Sequence, residues 1–252
     1  MLKVENMTLR FGDLMANNDV TLEVPKNKII ALIGPNGAGK TTCFNCISGV
    51  YIPNKGRITL NGVSIKGKRP FQIHNMGISR TYQIINLFAE MTVIENVLVG
   101  MHDSLQTNFF QSMFHTKKHR EEETAAFEFS CELLDFIGLQ DKADSIAGSL
   151  PYGEQRLLEI VRALASNPCL LLLDEPAAGM NTKEKEDLDA IIKKIMKRWD
   201  LSVLMVEHDM DLVMGISEYI YVLNYGKLLA HGTPEEIQHN PDVIEAYLGG
   251  DD

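Results

Sequence analysis

The sequence predicts an α/β fold with a mostly parallel sheet, an antiparallel β part at the N terminus and an inserted helical subdomain. Residues 29–33 and 170–173 are short, continuous apolar runs, which are typical of strands buried on both faces of a parallel sheet. Residues 20–24 instead alternate apolar and polar side chains, as a half-buried strand does. From about residue 87 to 165 the pattern becomes helical, so one α/β core interrupted by a helical segment accounts for the chain.

The core is expected to consist of residues 1–86 and 167–252, and the helical subdomain of residues 87–166, together forming one domain. Asn61-Gly62 predicts a tight turn at the end of a strand. The other predicted strands are 77–83, 169–173, 201–206 and a hairpin over 219–231. The predicted helices are 42–48, 93–101, 125–137, one that starts near 150, 182–199 and two short ones after the hairpin.

Composition limits the classes of partner. The 252 residues carry a formal net charge of −10, and 45% of them are apolar. Such an acidic chain offers no broad basic surface, so no nucleic-acid partner is expected. The first residues do not resemble a signal peptide, and no stretch reaches the roughly 18 consecutive apolar residues of a membrane span. We therefore expect a cytoplasmic protein that reaches a membrane only through a partner.

A Gly-x-x-x-x-Gly-Lys-Thr pattern follows the first apolar run and precedes a predicted helix. Its glycines would let backbone N–H groups and the helix N terminus point at an anion. Lys40 is expected to reach the β- and γ-phosphates, and the Thr41 hydroxyl to complete a Mg²⁺ shell. The alternative, a Gly-rich turn with a surface lysine, is disfavoured by the preceding strand. The sequence predicts an ATP or GTP site of the P-loop NTPase type at Gly34, Pro35, Asn36, Gly37, Ala38, Gly39, Lys40, Thr41 and Thr42.

Two acids, Asp174 and Glu175, end the second buried run. Ligands of open α/β sheets lie at the carboxyl ends of strands, so both acids are expected at the nucleotide site. Asp174 is predicted to hold Mg²⁺, directly or through water, and Glu175 to act as a base or to orient water beside the γ-phosphate. The alternative is a pair of helix-capping or loop acids. No Asn/Thr-Lys-x-Asp segment that would read guanine is present, which disfavours a GTPase.

The order of these motifs resembles that of the ATP-binding-cassette ATPases. The helix starting near residue 150 opens with a sequence similar to their Leu-Ser-Gly-Gly-Gln signature. The resemblance implies that Gln83 senses Mg²⁺ or the attacking water, that His208 contacts the γ-phosphate, and that Phe11 stacks on adenine. It also implies that two subunits pair head to tail, each signature closing over the other subunit's ATP. The signature residues that would do so here are Pro151, Tyr152, Gly153 and Glu154.

The resemblance narrows to the branched-chain (hydrophobic) amino-acid uptake subfamily. It implies ATP-driven dimerisation on the inner face of the membrane, with a second, different ATPase subunit, permease subunits and, indirectly, a substrate-binding protein. The extended stretch from about 100 to 126 indicates the longer of the two ATPases. The segments that carry this narrower resemblance are 152–156, 174–181, 207–210, 232–237 and 240–249.

Several alternatives remain open at this point. The cargo could be urea, an amide or an exported lipid, the dimer could contain two identical chains, and the cassette could be a weakly hydrolytic regulator. The last alternative depends on Pro151, which replaces the family's serine and lacks both a hydroxyl and a backbone N–H. Because each signature serves the other subunit, Pro151 is expected to weaken the partner's site rather than the site of Lys40. Glu175 and His208 are intact, which disfavours a regulator.

Overall fold

The computed structural model describes residues 1–102 and 117–248. The chain divides into two compact units. Met1–Arg80 and Cys169–Asp252 form the first, which contains both β-sheets, and Thr81–Pro168 form the second, which is helical. The division falls six residues before the subdomain start expected at residue 87 and two residues after its expected end at 166.

The first unit begins with an antiparallel sheet in the order β2-β1-β4-β5. The alternation in residues 20–24 places Val20, Leu22 and Val24 in the core, as predicted. The Asn61-Gly62 turn has positive φ at both residues, 49° and 82°, and joins β4 to β5. The strands are β1 Leu2–Phe11, β2 Leu14–Val24, β4 Lys55–Leu60 and β5 Val63–Ser64.

The second sheet has the order β10-β9-β3-β8-β7-β6 and is parallel except for the β9–β10 hairpin. Every residue of β3, β7 and β8 is buried, because helices and the first sheet cover both faces. The strand predicted over 77–83 is confined to Ile78–Arg80, since only these residues pair with β7. The strands are β3 Ile29–Ile33, β6 Ile78–Arg80, β7 Leu170–Asp174, β8 Ser202–Val206, β9 Tyr219–Asn224 and β10 Lys227–Gly232.

Some helices of both units start at residues whose side chains cap them. Asn181 caps the helix Thr182–Trp199, whose predicted bounds agree with the structure, and Thr92 caps the helix Val93–Gly100. In the first unit the helices are α1 Lys40–Ile47, α2 Pro70–His74, α6 Thr182–Trp199, α7 Met210–Ile216, α8 Pro234–Gln238 and α9 Pro241–Leu248. In the second unit they are α3 Val93–Gly100, α4 Lys117–Phe136 and α5 Tyr152–Ala165.

Helices α3 and α5 pack closely in the second unit. A Cβ at Gly100 would lie 2.2 Å from the Arg162 carbonyl oxygen, so only glycine allows this approach. The helix predicted over 125–137 begins earlier, at Lys117. The extended stretch expected from about residue 100 to 126 consists mainly of residues 103–116, which lie outside the described residues. Within the described ranges, no helix combines the length and the apolar composition that crossing a membrane requires.

Candidate nucleotide-binding site

The phosphate loop, residues 34–41, leaves the buried strand β3 and enters α1. Gly34 has φ 147°, and a Cβ there would lie 2.1 Å from the Leu223 carbonyl oxygen. Gly39 has φ 97°, and a Cβ there would lie 2.5 Å from the Ala16 carbonyl oxygen. Gly37 differs, because its φ of 78° favours glycine while a Cβ there would meet nothing within 4 Å. Neighbouring backbone thus leaves no room for a side chain at either end of the loop, whereas the middle of the loop is open.

Lys40 is buried at the first turn of α1 and folds back onto the loop. Its Nζ donates to the carbonyl oxygens of Gly34 at 2.6 Å and Pro35 at 2.9 Å. Burial lowers the pKa of Lys40, and the charges of Glu175 and Asp174 oppose that shift. The ammonium group therefore lies within the field of both predicted site carboxylates, while Thr41 beside it is exposed.

Asp174 is the last residue of β7, and its side chain is only 4% exposed. Its Oδ2 accepts a hydrogen bond from Nη2 of Arg80 at 2.6 Å. Arg80 comes from the neighbouring strand β6, which pairs with β7. No pattern along the chain singled out Arg80, because its partner is brought to it only by strand pairing.

Glu175 follows β7 with φ 48°, a left-handed conformation that costs a non-glycine residue roughly 1–2 kcal/mol. Its backbone N–H donates to the Val206 carbonyl oxygen at 2.8 Å, which fixes this turn of the chain. Its Oε1 lies 3.0 Å from Nε2 of His208. The structure therefore brings Lys40, Asp174, Glu175 and His208 to one edge of the parallel sheet.

Glu207 is a buried residue to which sequence analysis assigned no role. Its Oε1 accepts from the backbone N–H of Ala177 at 2.7 Å, and its Oε2 accepts from those of His208 at 2.7 Å and Asp209 at 3.1 Å. One carboxylate thus ties the chain after Glu175 to the chain that carries His208. Glu207 comes at the end of a buried apolar run, as Asp174 does. This position was the sequence signal that could have identified Glu207 as a residue of the site.

Phe11 lies at the end of β1 and is 44% exposed. Its ring meets that of Tyr51 edge to face, with centroids 5.2 Å apart. Tyr51 follows α1 and is another residue that sequence analysis did not select. Two exposed rings at this position form a surface suited to stacking against a planar base.

A cavity of about 740 Å³ opens at the middle of the phosphate loop. Residues 34–38, His208 and residues of the C-terminal helix α9 line it. Burial raises the pKa of the Tyr247 phenol in α9 to about 12, and a backbone hydrogen bond from Gly34 opposes that shift. The resemblance did not indicate that α9 would contact the phosphate loop.

Gln83 and the signature residues belong to the second unit. Arg156, fully buried in α5, donates from Nη1 to the Tyr82 carbonyl oxygen at 2.7 Å and from Nη2 to that of Gln83 at 2.8 Å. Glu159 in turn accepts from Nη1 of Arg156 at 2.8 Å. The backbone at Gln83 is thus fixed to the helix that begins after Pro151, while the Gln83 side chain is exposed.

Pro151 is the N-cap residue of α5, with no side-chain hydrogen bond at that helix start. Tyr152 is exposed, Gly153 is buried, and Glu154 pairs with Nζ of Lys142 at 2.6 Å. Gly153 and the following turn therefore keep backbone amides at the helix N terminus, because proline at a helix start removes only its own N–H.

The residues present fit a nucleotide with a magnesium ion. The space beside Gly37 and the cationic Lys40 suit phosphate oxygens. Asp174 and Thr41 offer the oxygen ligands that Mg²⁺ prefers. Among the described residues, no group of three or more His, Cys, Asp or Glu side chains could hold a metal ion. A cation at this site would thus depend on oxygens from phosphate and water, the usual arrangement for Mg²⁺ bound with a nucleotide.

The fold and the site define a P-loop nucleotide-binding protein of the α/β class. The family description "ABC transporter" matches residues 17–178, and the description "Branched-chain amino acid ATP-binding cassette transporter" matches residues 227–252. The chain belongs to the ABC transporter family and is one of its ATP-binding, ATP-hydrolysing subunits.

Relatives and solved structures agree with this assignment. The chain is 49% identical to the high-affinity branched-chain amino acid transport ATP-binding protein BraF of Pseudomonas aeruginosa and 48% identical to LivG of Escherichia coli. Both comparisons cover 99% of this chain and 98% of the relative. A nucleotide-free ATP-binding cassette of an ABC transporter is 33% identical, with a TM-score of 0.85 over 98% of each chain. Another cassette in its ADP conformation is 32% identical, with a TM-score of 0.86 over 99% of this chain and 98% of that one.

Proposed function

We propose that this chain is an ATPase subunit of an importer for branched-chain or similar hydrophobic amino acids, held at the inner face of the membrane by permease subunits. The assignment of the transported substrate rests on the sequence identity of 48–49% to BraF and LivG over nearly the full length. The names of both relatives state branched-chain amino acid transport. The match of residues 227–252 to the branched-chain cassette description supports it independently. Urea, amide and lipid cargoes have no comparable support.

The test of the cargo uses the assembled transporter: this chain together with the proposed second ATPase subunit, permease subunits and substrate-binding protein. We expect leucine-loaded binding protein to stimulate ATP hydrolysis, and urea or short amides to give no stimulation above the empty binding protein. Stimulation by urea but not by leucine, isoleucine or valine would overturn the proposed cargo.

In the catalytic cycle, Lys40 binds the β- and γ-phosphates, and the backbone N–H groups of residues 34–42 surround them. Asp174, Thr41 and Gln83 would hold Mg²⁺, which would supply positive charge against the phosphate oxygens. Phe11, with Tyr51 beside it, stacks on adenine. The support for this arrangement is the phosphate loop around the buried Lys40 and the exposed aromatic pair.

Glu175 accepts the proton of the attacking water or orients that water, and His208 both contacts the γ-phosphate and holds the Glu175 carboxylate in place. The Glu175–His208 contact of 3.0 Å and the strained turn at Glu175 support this assignment, because strained backbone is retained where a side chain must be aimed. Most of the catalysis is positioning and charge stabilisation.

Two ATPase subunits pair head to tail in this proposal, and residues 151–154 close over the partner's ATP. Pro151 supplies neither a hydroxyl nor a backbone N–H, so the site it closes is the weaker of the two. We expect Glu175→Gln in this chain to reduce turnover more than the corresponding substitution in the partner subunit. A larger loss of turnover from the substitution in the partner subunit would contradict a weaker site closed by Pro151. Pro151→Ser in this chain is expected to reduce the difference between the two losses of turnover.

A further inference from the structure

Arg80 links three elements of the nucleotide site through a side chain that is only 7% exposed. Its Nη2 donates to Oδ2 of Asp174 at 2.6 Å. Its Nη1 donates to Oδ1 of Asn45 at 2.7 Å and to Oγ of Ser48 at 2.9 Å, and both of these residues belong to or follow α1, the helix that begins with Lys40. Its guanidinium also lies 5.6 Å from the ring centroid of Phe44.

These contacts place the arginine so that it is directed at one carboxylate oxygen. The planar guanidinium is held on one side by α1 and donates from the other side to Asp174, an arrangement that lysine with its single nitrogen could not reproduce. Removing the arginine would leave a nearly buried carboxylate without this positive partner.

Charge at the site is balanced before any ligand arrives. The ammonium group of Lys40 interacts with both Asp174 and Glu175, and the guanidinium of Arg80 pairs with Asp174. Two cations thus face the carboxylates of Asp174 and Glu175, while a third carboxylate, that of Glu207, accepts from backbone N–H groups. A divalent cation entering such a site gains little attraction, and Mg²⁺ gives up its hydration shell reluctantly. The described residues also contain no cluster of side chains that could hold a metal alone.

We propose that Arg80 is a positioning residue that orients Asp174 and balances its charge, so that the site retains a divalent cation only together with nucleotide phosphates. The inference rests on the proposed role of Asp174 at the metal. It assigns to Arg80, the last residue of β6, a function that is exerted through Asp174. Without Arg80, the site would carry an excess negative charge and would bind a free cation.

The test measures cation binding to the nucleotide-free chain. Mn²⁺ titration followed by electron paramagnetic resonance, and the shift of Tm on adding Mg²⁺, are compared for wild type and Arg80→Met. We expect no site-specific Mn²⁺ binding by wild type and one bound Mn²⁺ per chain in Arg80→Met. Cation at about ten times its Kd should raise the Tm of this variant by roughly 3–6 °C. Arg57→Met, the same change at an exposed strand position, serves as the matched control and should behave as wild type.

Two further variants keep the test decisive if Arg80→Met does not fold. Arg80→Lys keeps the positive charge but not the fork of donors, so it should bind Mn²⁺ more weakly than Arg80→Met does. Asn45→Ala removes one hydrogen bond that holds Arg80 and should likewise bind Mn²⁺ weakly. Adding Asp174→Asn to Asn45→Ala should abolish that binding. Mn²⁺ binding by nucleotide-free wild type that is lost in Asp174→Asn would overturn the proposal, as would an Asn45→Ala variant that gains none.

The proposed function fails in a different way. If Asp174→Asn binds Mg²⁺ and nucleotide together as tightly as wild type does, Asp174 is not at the metal site. Asp174→Asn could instead weaken the joint binding of Mg²⁺ and nucleotide while the Arg80 and Asn45 variants bind no free cation. In that case Asp174 is at the metal site and only the role proposed for Arg80 is wrong.

Discussion

Nε2 of His208 lies 3.0 Å from Oε1 of Glu175, and strand pairing fixes this distance. Asp174, which precedes Glu175, pairs with Val206 across β7 and β8, and Val206 lies two residues before His208. The Glu175 backbone N–H also donates to the Val206 carbonyl oxygen. The carboxylate and the imidazole are therefore positioned by the same two buried strands, which is the arrangement that precise placement of a catalytic group requires.

The first prediction concerns the Glu175 carboxylate. We expect Glu175→Gln to lower ATP turnover by about 10²–10⁴-fold, because an amide cannot accept the proton of water, while nucleotide affinity is retained. With ATP and the partner subunit, the variant should migrate as a stable dimer on size-exclusion chromatography. Glu186→Gln, at an exposed position of α6, is the control and should behave as wild type. A Glu175→Gln variant that hydrolyses ATP at the wild-type rate would contradict the assignment.

The second prediction concerns pH. Because burial lowers the pKa of Lys40 below 10.5, its ammonium loses its proton earlier than that of an exposed lysine as pH rises. Nucleotide affinity, measured with a fluorescent ATP analogue, should therefore begin to fall below pH 10.5, the ordinary pKa of lysine. Tyr247, whose pKa is raised to about 12, does not titrate in this range.

The effect of Lys40 on folding has the opposite sign. Between its lowered pKa and 10.5 the unfolded chain binds more protons, so the contribution of this group to the free energy of unfolding rises with pH. Lys40→Arg keeps its charge throughout this range, and its affinity profile should be flat. If the nucleotide affinity of wild type is also independent of pH in this range, ionisation of Lys40 does not control nucleotide binding.

The third prediction separates two glycines of the phosphate loop. Gly34→Ala should lower the free energy of unfolding by about 3 kcal/mol or more, since its Cβ would meet the Leu223 carbonyl oxygen at 2.1 Å. Gly37→Ala should cost only about 1–2 kcal/mol for its positive φ, because its Cβ meets nothing, yet it should weaken nucleotide binding. Urea unfolding and nucleotide titration measure the two effects. Equal destabilisation by both substitutions would contradict this description of the loop.

The fourth prediction concerns the buried carboxylate of Glu207. Glu207→Gln replaces one of two accepting oxygens by a donor, which would then face backbone N–H groups of Ala177 or of His208 and Asp209. We expect a loss of about 1–3 kcal/mol in the free energy of unfolding and a lower kcat, because His208 is no longer held. Glu218→Gln, at a surface pair with Lys28, is the control and should cost at most about 1 kcal/mol. Unchanged stability in Glu207→Gln would refute the bridging role.

Much of the fold followed from local patterns. The continuous apolar run at Ile29–Ile33 and the amphipathic pattern of residues 182–199 predicted strand and helix bounds that agree with the structure, because burial of two faces or of one face leaves a signal within a few residues. The strand at Ile78–Arg80 was predicted too long, since its ends depend on pairing with β7 rather than on its own composition.

The supporting side chains of the site were not predictable in the same way. Arg80, Glu207 and Arg156 act through hydrogen bonds to residues between 30 and 94 positions away, apart from the contacts of Glu207 with its own neighbours and that of Arg156 with Glu159. Such partners follow no period along the chain. The resemblance supplied the residues expected to touch the nucleotide, and only the structure supplied those that hold them.

The most direct test of the central claim is ATP-driven leucine uptake into vesicles containing the assembled transporter. We expect uptake with the wild-type chain and none with Lys40→Ala or Glu175→Gln, while Lys193→Ala, at an exposed position of α6, transports as wild type does. Leucine uptake that persists undiminished with Lys40→Ala or Glu175→Gln would contradict the claim that ATP hydrolysis at this site powers import.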